Sequence, residues 1–199
     1  MIQRFIHLLA ETPVVFDFLK SLPEGGYYGH RALIRSEVQP LCGRVLDLGC
    51  GTGIFAPNFS TGQYVGVDVN PKYIDHARLK YPGYEFKCID GSALPFEPAT
   101  FDVAFVAGVF HHLDDATSER VLAEAHRVLK PGGALIVWED VPARFILNVV
   151  GHLIHHLDEG RYIRKAEGYR ALFARRFSIA KEFAMRSAFM DYQVFKLLR

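Results

Sequence analysis

Three glycines alternate through Gly49-Cys50-Gly51-Thr52-Gly53, directly after an apolar run, Val45 to Leu48, whose one ionisable member is Asp47. Two more carboxylates, Asp68 and Asp90, close later apolar runs, and a histidine pair, His111-His112, follows a fourth. A strand ending in such a glycine turn presents backbone N–H groups and a bare surface to a ligand, because a Cβ there would hold the ligand off or forbid the turn's dihedrals. Asp68 stands about where an acid accepts both hydroxyls of a ribose, and Asp90 where one accepts from the exocyclic amine of an adenine. Histidine titrates in the range useful to a general base. His111 and His112 are therefore weak candidates for taking a proton from a substrate, the alternative being that they shape the loop that carries them.

The glycine spacing separates this turn from two other phosphate cradles. The dinucleotide fingerprint G-x-G-x-x-G/A fails because the sixth position counted from Gly49 is Ile54, and no Gly-Lys-Ser/Thr follows as a Walker loop requires. A nicotinamide-dependent oxidoreductase is thus a minor alternative.

The elements that must position these residues read as alternating strands and helices. Strands are expected at 44–48, 64–69, 84–89, 101–107 and 134–139, apolar enough for burial on both faces of a parallel sheet. Asn70 and Pro71 open a helix that runs to about Lys80, and a capping carboxylate near Asp115 opens another, which Lys130-Pro131-Gly132 should stop. A basic amphipathic helix is expected over 166–176, and an antiparallel strand pair over 178–198 at one sheet edge. The fold class is α/β, a Rossmann-like doubly wound and mostly parallel sheet of seven strands. One domain is expected over 1–199: a helical N-terminal lid (1–43), a cofactor-binding core (44–140), a helical lid region (141–176) and a C-terminal strand pair (177–199).

Composition limits the class of function. A chain of 199 residues with 50% hydrophobic content suits one domain with a sizeable core. Charge is balanced, 23 basic against 22 acidic residues, which disfavours nucleic acid as a partner. No Pro-Pro-aromatic clamp follows the fourth strand either. The segment 158–199 is nonetheless basic, with ten basic and five acidic residues. Three cysteines without paired spacing point to reduced thiols and a cytoplasmic setting. No stretch approaches the ~18 apolar residues of a spanning helix, and the N-terminus does not read as a secretory signal.

The stretches VLDLGCGTG, GVDVNPKYIDHAR, CIDGSALPFEPATFDVAFVAGVFHHLDD and EAHRVLKPGGALIVWED, in that order, resemble the successive motifs of class I S-adenosylmethionine-dependent methyltransferases. The resemblance covers about residues 44–140. It implies S-adenosylmethionine as cofactor, S-adenosylhomocysteine as product and no metal. Carried over by position, Asp47 orients the turn toward the methionine ammonium, while Gly49, Cys50 and Gly51 bed the cofactor. Asp68 holds the ribose diol, Val69 flanks the adenine, and Asp90 with Gly91 meets its amine. Ala107 and Gly108 lie near the methionine moiety and the methyl. Asn70 and Gly91 stand where the family often has Ser and Ala.

The acceptor is expected to be a small molecule, apolar or lipid-linked. Phe5, Phe16, Phe18, Tyr27 and Tyr28 would flank it on one side, and Phe145, Ile146, Leu147, Ile154 and Tyr162 on the other. Arg161, Arg164 and Lys165 would lie near an anionic group. The alternative is that the apolar residues only pack the lid onto the sheet. His152, His155 and His156 have metal-ligand spacing on one helical face, but no Cys or carboxylate motif completes a site. A non-catalytic protein that binds S-adenosylmethionine or S-adenosylhomocysteine would carry the same motifs, and oligomeric state is not legible.

Overall fold

The computed structural model describes residues 12–14, 17, 21–22, 24–41, 43–141 and 162–199. Seven strands form one open sheet: β1 (Val45–Leu48), β2 (Tyr64–Asp68), β3 (Glu85–Cys88), β4 (Phe101–Ala107), β5 (Leu129–Asp140), β6 (Ser178–Ser187) and β7 (Met190–Leu198). Their order is β3-β2-β1-β4-β5-β7-β6. The first five run parallel, and β7 inserts antiparallel between β5 and β6. The expected antiparallel pair is present, with β6 as the edge. The chain leaves β1 toward β2 on one side and returns to β4 on the other. That reversal opens a crevice at the carboxyl ends of β1 and β4, the place where doubly wound sheets bind ligands.

Four α-helices are described: α1 (Tyr28–Leu33), α2 (Pro71–Lys80), α3 (Asp115–Val128) and α4 (Ala166–Phe173). The α2 start is as expected, with Asn70 accepting from the Lys72 amide at 3.0 Å and Pro71 in the first turn. The α3 cap falls one residue earlier than expected, since Asp114 rather than Asp115 accepts from the Thr117 amide, at 2.7 Å. The end of α3 also differs. No loop follows, because β5 already begins at Leu129, opposite Phe101, and takes Lys130-Pro131-Gly132 into an irregular first stretch. The Asp102 carboxylate braces that irregularity, accepting from Lys130 Nζ and from the Arg44 amide, each at 2.7 Å.

Strand alternation sorts the core onto two faces of the sheet. On β4, Ala104 and Val106 join the face covered by α3 and α4, with Leu122, Ala125 and Phe173; Val103 and Phe105 join the other, with Ile34, Ile74 and Trp138. Helix α1 continues as a π-helical turn (Ile34–Val38) and lies against β6 at Gly29, where a Cβ would come within 2.8 Å of the Arg186 carbonyl oxygen. Within the segment expected as a helical N-terminal lid (1–43), residues 28–38 are helical. Of the second lid region expected over 141–176, residues 142–161, with His152, His155 and His156, lie outside the described residues, and Ala166–Phe173 forms α4. No helix among the described residues is long and apolar enough to cross a membrane.

Candidate functional site

A cavity of about 600 Å³ opens over the carboxyl ends of β1, β2 and β4. Its floor is the glycine turn. Gly49, Gly51 and Gly53 take φ of 79°, 53° and 75°, values that favour glycine. At Gly49 a Cβ would also come within 2.5 Å of a Val109 methyl, so turn and β4 loop approach through the missing side chain. Around Gly51, by contrast, a Cβ would meet nothing within 4 Å, which leaves the backbone open to a ligand.

Asp68 joins turn and strand end. One carboxylate oxygen accepts from the Gly51 amide at 2.9 Å, the other from the Asn70 amide at 2.8 Å. Burial raises its pKa, and these backbone donors oppose the rise. Beside it Val69 is 71% exposed, an apolar surface on the cavity wall. Asp90 and Gly91 line the same cavity, with Asp90 held by accepting from the Ser92 amide at 2.8 Å. Ala107 and Gly108 line it from the end of β4, and Cys50 lines it with a thiol whose pKa burial raises. Nine of the ten expected cofactor residues thus share one cavity wall.

Asp47 is placed behind that wall. It is fully buried and not among the lining residues. Its Oδ2 accepts from the Tyr64 hydroxyl at 2.6 Å, while Oδ1 has no hydrogen-bond partner among the described residues. Burial, and next the charge of Asp68, push its carboxyl up to about 8, against the pull of the Tyr64 hydrogen bond.

The two histidines separate. His112 lines the cavity, whereas His111 is fully buried with Nδ1 at 2.8 Å from Glu139 Oε2. Glu139, also fully buried at the end of β5, accepts from the Val109 and Phe110 amides at 2.9 and 2.8 Å. It fixes the loop that carries both histidines. Arg164, expected near an anionic group, spends its guanidinium on Asp115 and on the carbonyl oxygens of Phe110, Leu113 and Tyr162. Tyr27 lines the cavity, and Tyr28 is exposed.

A second group of lining residues was not expected. Glu24, His30 and Tyr192 form a buried cluster at the far end of the cavity, together with Asp140 at the end of β5. Nothing in their local spacing signals a site: Glu24 precedes a Gly-Gly turn, and Tyr192 sits in a strand whose alternation explains it as core. The β5–β7 register sets Asp140 opposite Tyr192, and hydrogen bonds from Tyr192 and His30 gather Glu24 to them.

A side-chain-free cradle, a carboxylate at the second strand end, an exposed apolar flank and an acid at the third meet in one cavity of about 600 Å³. Residues 46–137 match a family model described as a methyltransferase domain. The ubiquinone/menaquinone biosynthesis C-methyltransferase of Desulfotalea psychrophila is 32% identical over 118 residues, covering 56% of this chain and 47% of that protein. The demethylmenaquinone methyltransferase of Thermus thermophilus is 37% identical over 107 residues, 50% of this chain and 48% of that one. An S-adenosylmethionine-dependent methyltransferase from Methanosarcina mazei, of solved structure, shares the fold with a TM-score of 0.64 at 20% identity, over 82% of this chain and 97% of that one. The fold is a Rossmann-like open sheet with an antiparallel C-terminal pair. The matched core, residues 46–137, is similar to a methyltransferase domain, and the fold is the one seen in class I S-adenosylmethionine-dependent methyltransferases. It spans about half the length of the curated relatives it matches.

Proposed function

We propose that this protein transfers the methyl group of S-adenosylmethionine to a small, apolar, ring-bearing acceptor, a reading supported by its similarity to a ubiquinone/menaquinone biosynthesis C-methyltransferase and a demethylmenaquinone methyltransferase. The observation that carries the reading is the continuity of one cavity from the Gly51–Asp68 cradle to an aromatic wall formed by Tyr27, His30, Phe55 and Tyr192. Asp68 would accept from the ribose hydroxyls, Val69 would flank the adenine and Asp90 would accept from its amine. Gly49, Gly51 and Gly108 would leave room for the methionine portion. When bound, the cofactor supplies a methyl group on a sulfonium, already activated for in-line displacement. The chain's own task is alignment. Glu139 would hold the Val109–His111 loop rigid beside the methyl, and the aromatic wall would seat a flat acceptor ring and exclude water. His112 lies on the cavity surface, whereas His111, turned onto Glu139, would be a positioning residue.

The test is calorimetric titration with S-adenosylhomocysteine, with NAD as control and Asp68→Ala alongside. Micromolar binding that Asp68→Ala weakens supports the reading. Preference for NAD would end it.

A further inference from the structure

The far wall of the cavity holds a hydrogen-bonded chain with a fixed direction. Trp138 Nε1–H, which can only donate, gives to His30 Nδ1 at 2.8 Å. His30 must therefore carry its proton on Nε2, which donates to Glu24 Oε2 at 2.9 Å. The Tyr192 hydroxyl donates to the other carboxylate oxygen, Oε1. Burial, and then the charges of Asp140 and Glu24, raise Tyr192 well above the ordinary tyrosine range, so it stays a phenol and a donor. Ser187 Oγ, donating to the Glu24 backbone carbonyl at 2.9 Å, pins the segment. Three of its four members, Glu24, His30 and Tyr192, face the cavity that Gly49 and Gly108 also line.

We propose that Glu24 is the general base of this site, receiving the proton of a neutral hydroxyl on an aromatic acceptor, with His30, Trp138 and Tyr192 as its positioning residues. The proposal rests on the methyl-transfer reading above. Three acceptor chemistries meet this wall differently. An anionic group would face Glu24, Asp140 and Asp17, with no lysine or arginine among the described lining residues. An amine would be held as ammonium by the same carboxylates, which removes its nucleophilic electron pair. A neutral hydroxyl alone gains reactivity by donating to the carboxylate, because its oxygen becomes richer in electrons as the proton moves.

In the step itself the acceptor O–H bond breaks and the proton goes to a Glu24 oxygen. The acceptor oxygen forms its bond to the methyl carbon as the methyl–sulfur bond breaks, and sulfur keeps that electron pair. Where a ring carbon conjugated to the oxygen attacks instead, that carbon afterwards gives up its own hydrogen as a proton to water. Glu24 then returns its proton to the oxygen.

The test uses the full chain saturated with S-adenosylhomocysteine and four matched probes: 1-naphthol, 1-methoxynaphthalene, 1-naphthylmethylamine and 1-naphthoate. Calorimetry should find 1-naphthol at least tenfold tighter than the other three, and Glu24→Gln should shrink that preference to a few-fold. With S-adenosylmethionine, Glu24→Gln should lower kcat for 1-naphthol by about a hundredfold or more, within the range of general-base contributions. A nitro-substituted naphthol, ionised before it binds, should recover most of that loss, a rescue that a merely structural role would not produce. Tyr192→Phe, which keeps the ring, should give a smaller loss with the same rescue. Equal affinity for 1-naphthol and 1-methoxynaphthalene, preference for the amine or the carboxylate, or unchanged kcat in Glu24→Gln would each overturn the proposal. Failure of S-adenosylhomocysteine to bind would bring down the methyl-transfer reading itself, whatever Glu24 does.

Discussion

Asp47 and Asp68 stand on neighbouring strands, yet burial gives them different work. Asp68 has both oxygens on backbone amides at the cavity edge, so it stays poised to accept from a ligand. Replacing it by alanine should weaken S-adenosylhomocysteine about 30-fold, the scale of lost charge-assisted hydrogen bonds (roughly 2 kcal/mol), read by calorimetry. Asp47 is enclosed, with its carboxyl pushed from 3.8 up to about 8. Between those two values the folded chain keeps a proton that the unfolded chain releases. The contribution to stability is therefore full below about pH 4, falls as pH rises through about 8, and is flat above. Thermal scans of the ligand-free protein should show a lower Tm at pH 8 than at pH 5.5, and Asp47→Asn should flatten the difference; an unchanged slope in that variant would refute the assignment. That acids close these apolar runs was legible in the sequence, and the structure sets Asp68 and Asp90 on one cavity. The inward turn of Asp47 onto Tyr64 was not legible, since it depends on the register that pairs β1 with β2.

Among the elements, the strands of the parallel half were readable from their apolar runs to within a residue or so, and α2 from its Asn-Pro start. The start of β5 was misread because proline and glycine are strong breakers, and a sequence does not show that Asp102 and Lys130 bridge the irregular stretch. The same limit hid Glu139. In sequence it is one acid after an apolar strand; in space it ties the end of β5 to the loop after β4 through Val109, Phe110 and His111. Glu139→Ala would leave those buried donors unsatisfied, a cost of about 3–5 kcal/mol on the scale for breaking buried charged networks. At this chain length that corresponds to a Tm lower by about 10 °C, measurable by scanning calorimetry. Methyl transfer should fall with it, because the loop beside the cavity loses its anchor. Glu139→Gln, which keeps an acceptor, should lose less on both counts.

At the scale of the whole molecule, the sheet order binds the C-terminal hairpin to the middle of the chain. β7 lies between β5 and β6, and α1 rests on β6 through Gly29, so the N-terminal segment, the central strands and the C-terminal hairpin share one core. For the described residues we infer a single cooperative unit rather than a cofactor core with a separable α1. The lone tryptophan makes this testable, because Trp138 is fully buried in β5 and donates its indole N–H to His30 of α1. Its fluorescence reports the docking of the N-terminal helix, whereas far-ultraviolet circular dichroism reports the sheet and helices together. If the unit is cooperative, the two probes should give one coincident urea transition. S-adenosylhomocysteine at 100 times its Kd should then move both by the same amount, about 2.7 kcal/mol by mass action. A tryptophan transition that precedes loss of secondary structure would instead show α1 undocking first. The Glu24–His30–Tyr192 wall would then assemble and disperse independently of the cofactor cradle.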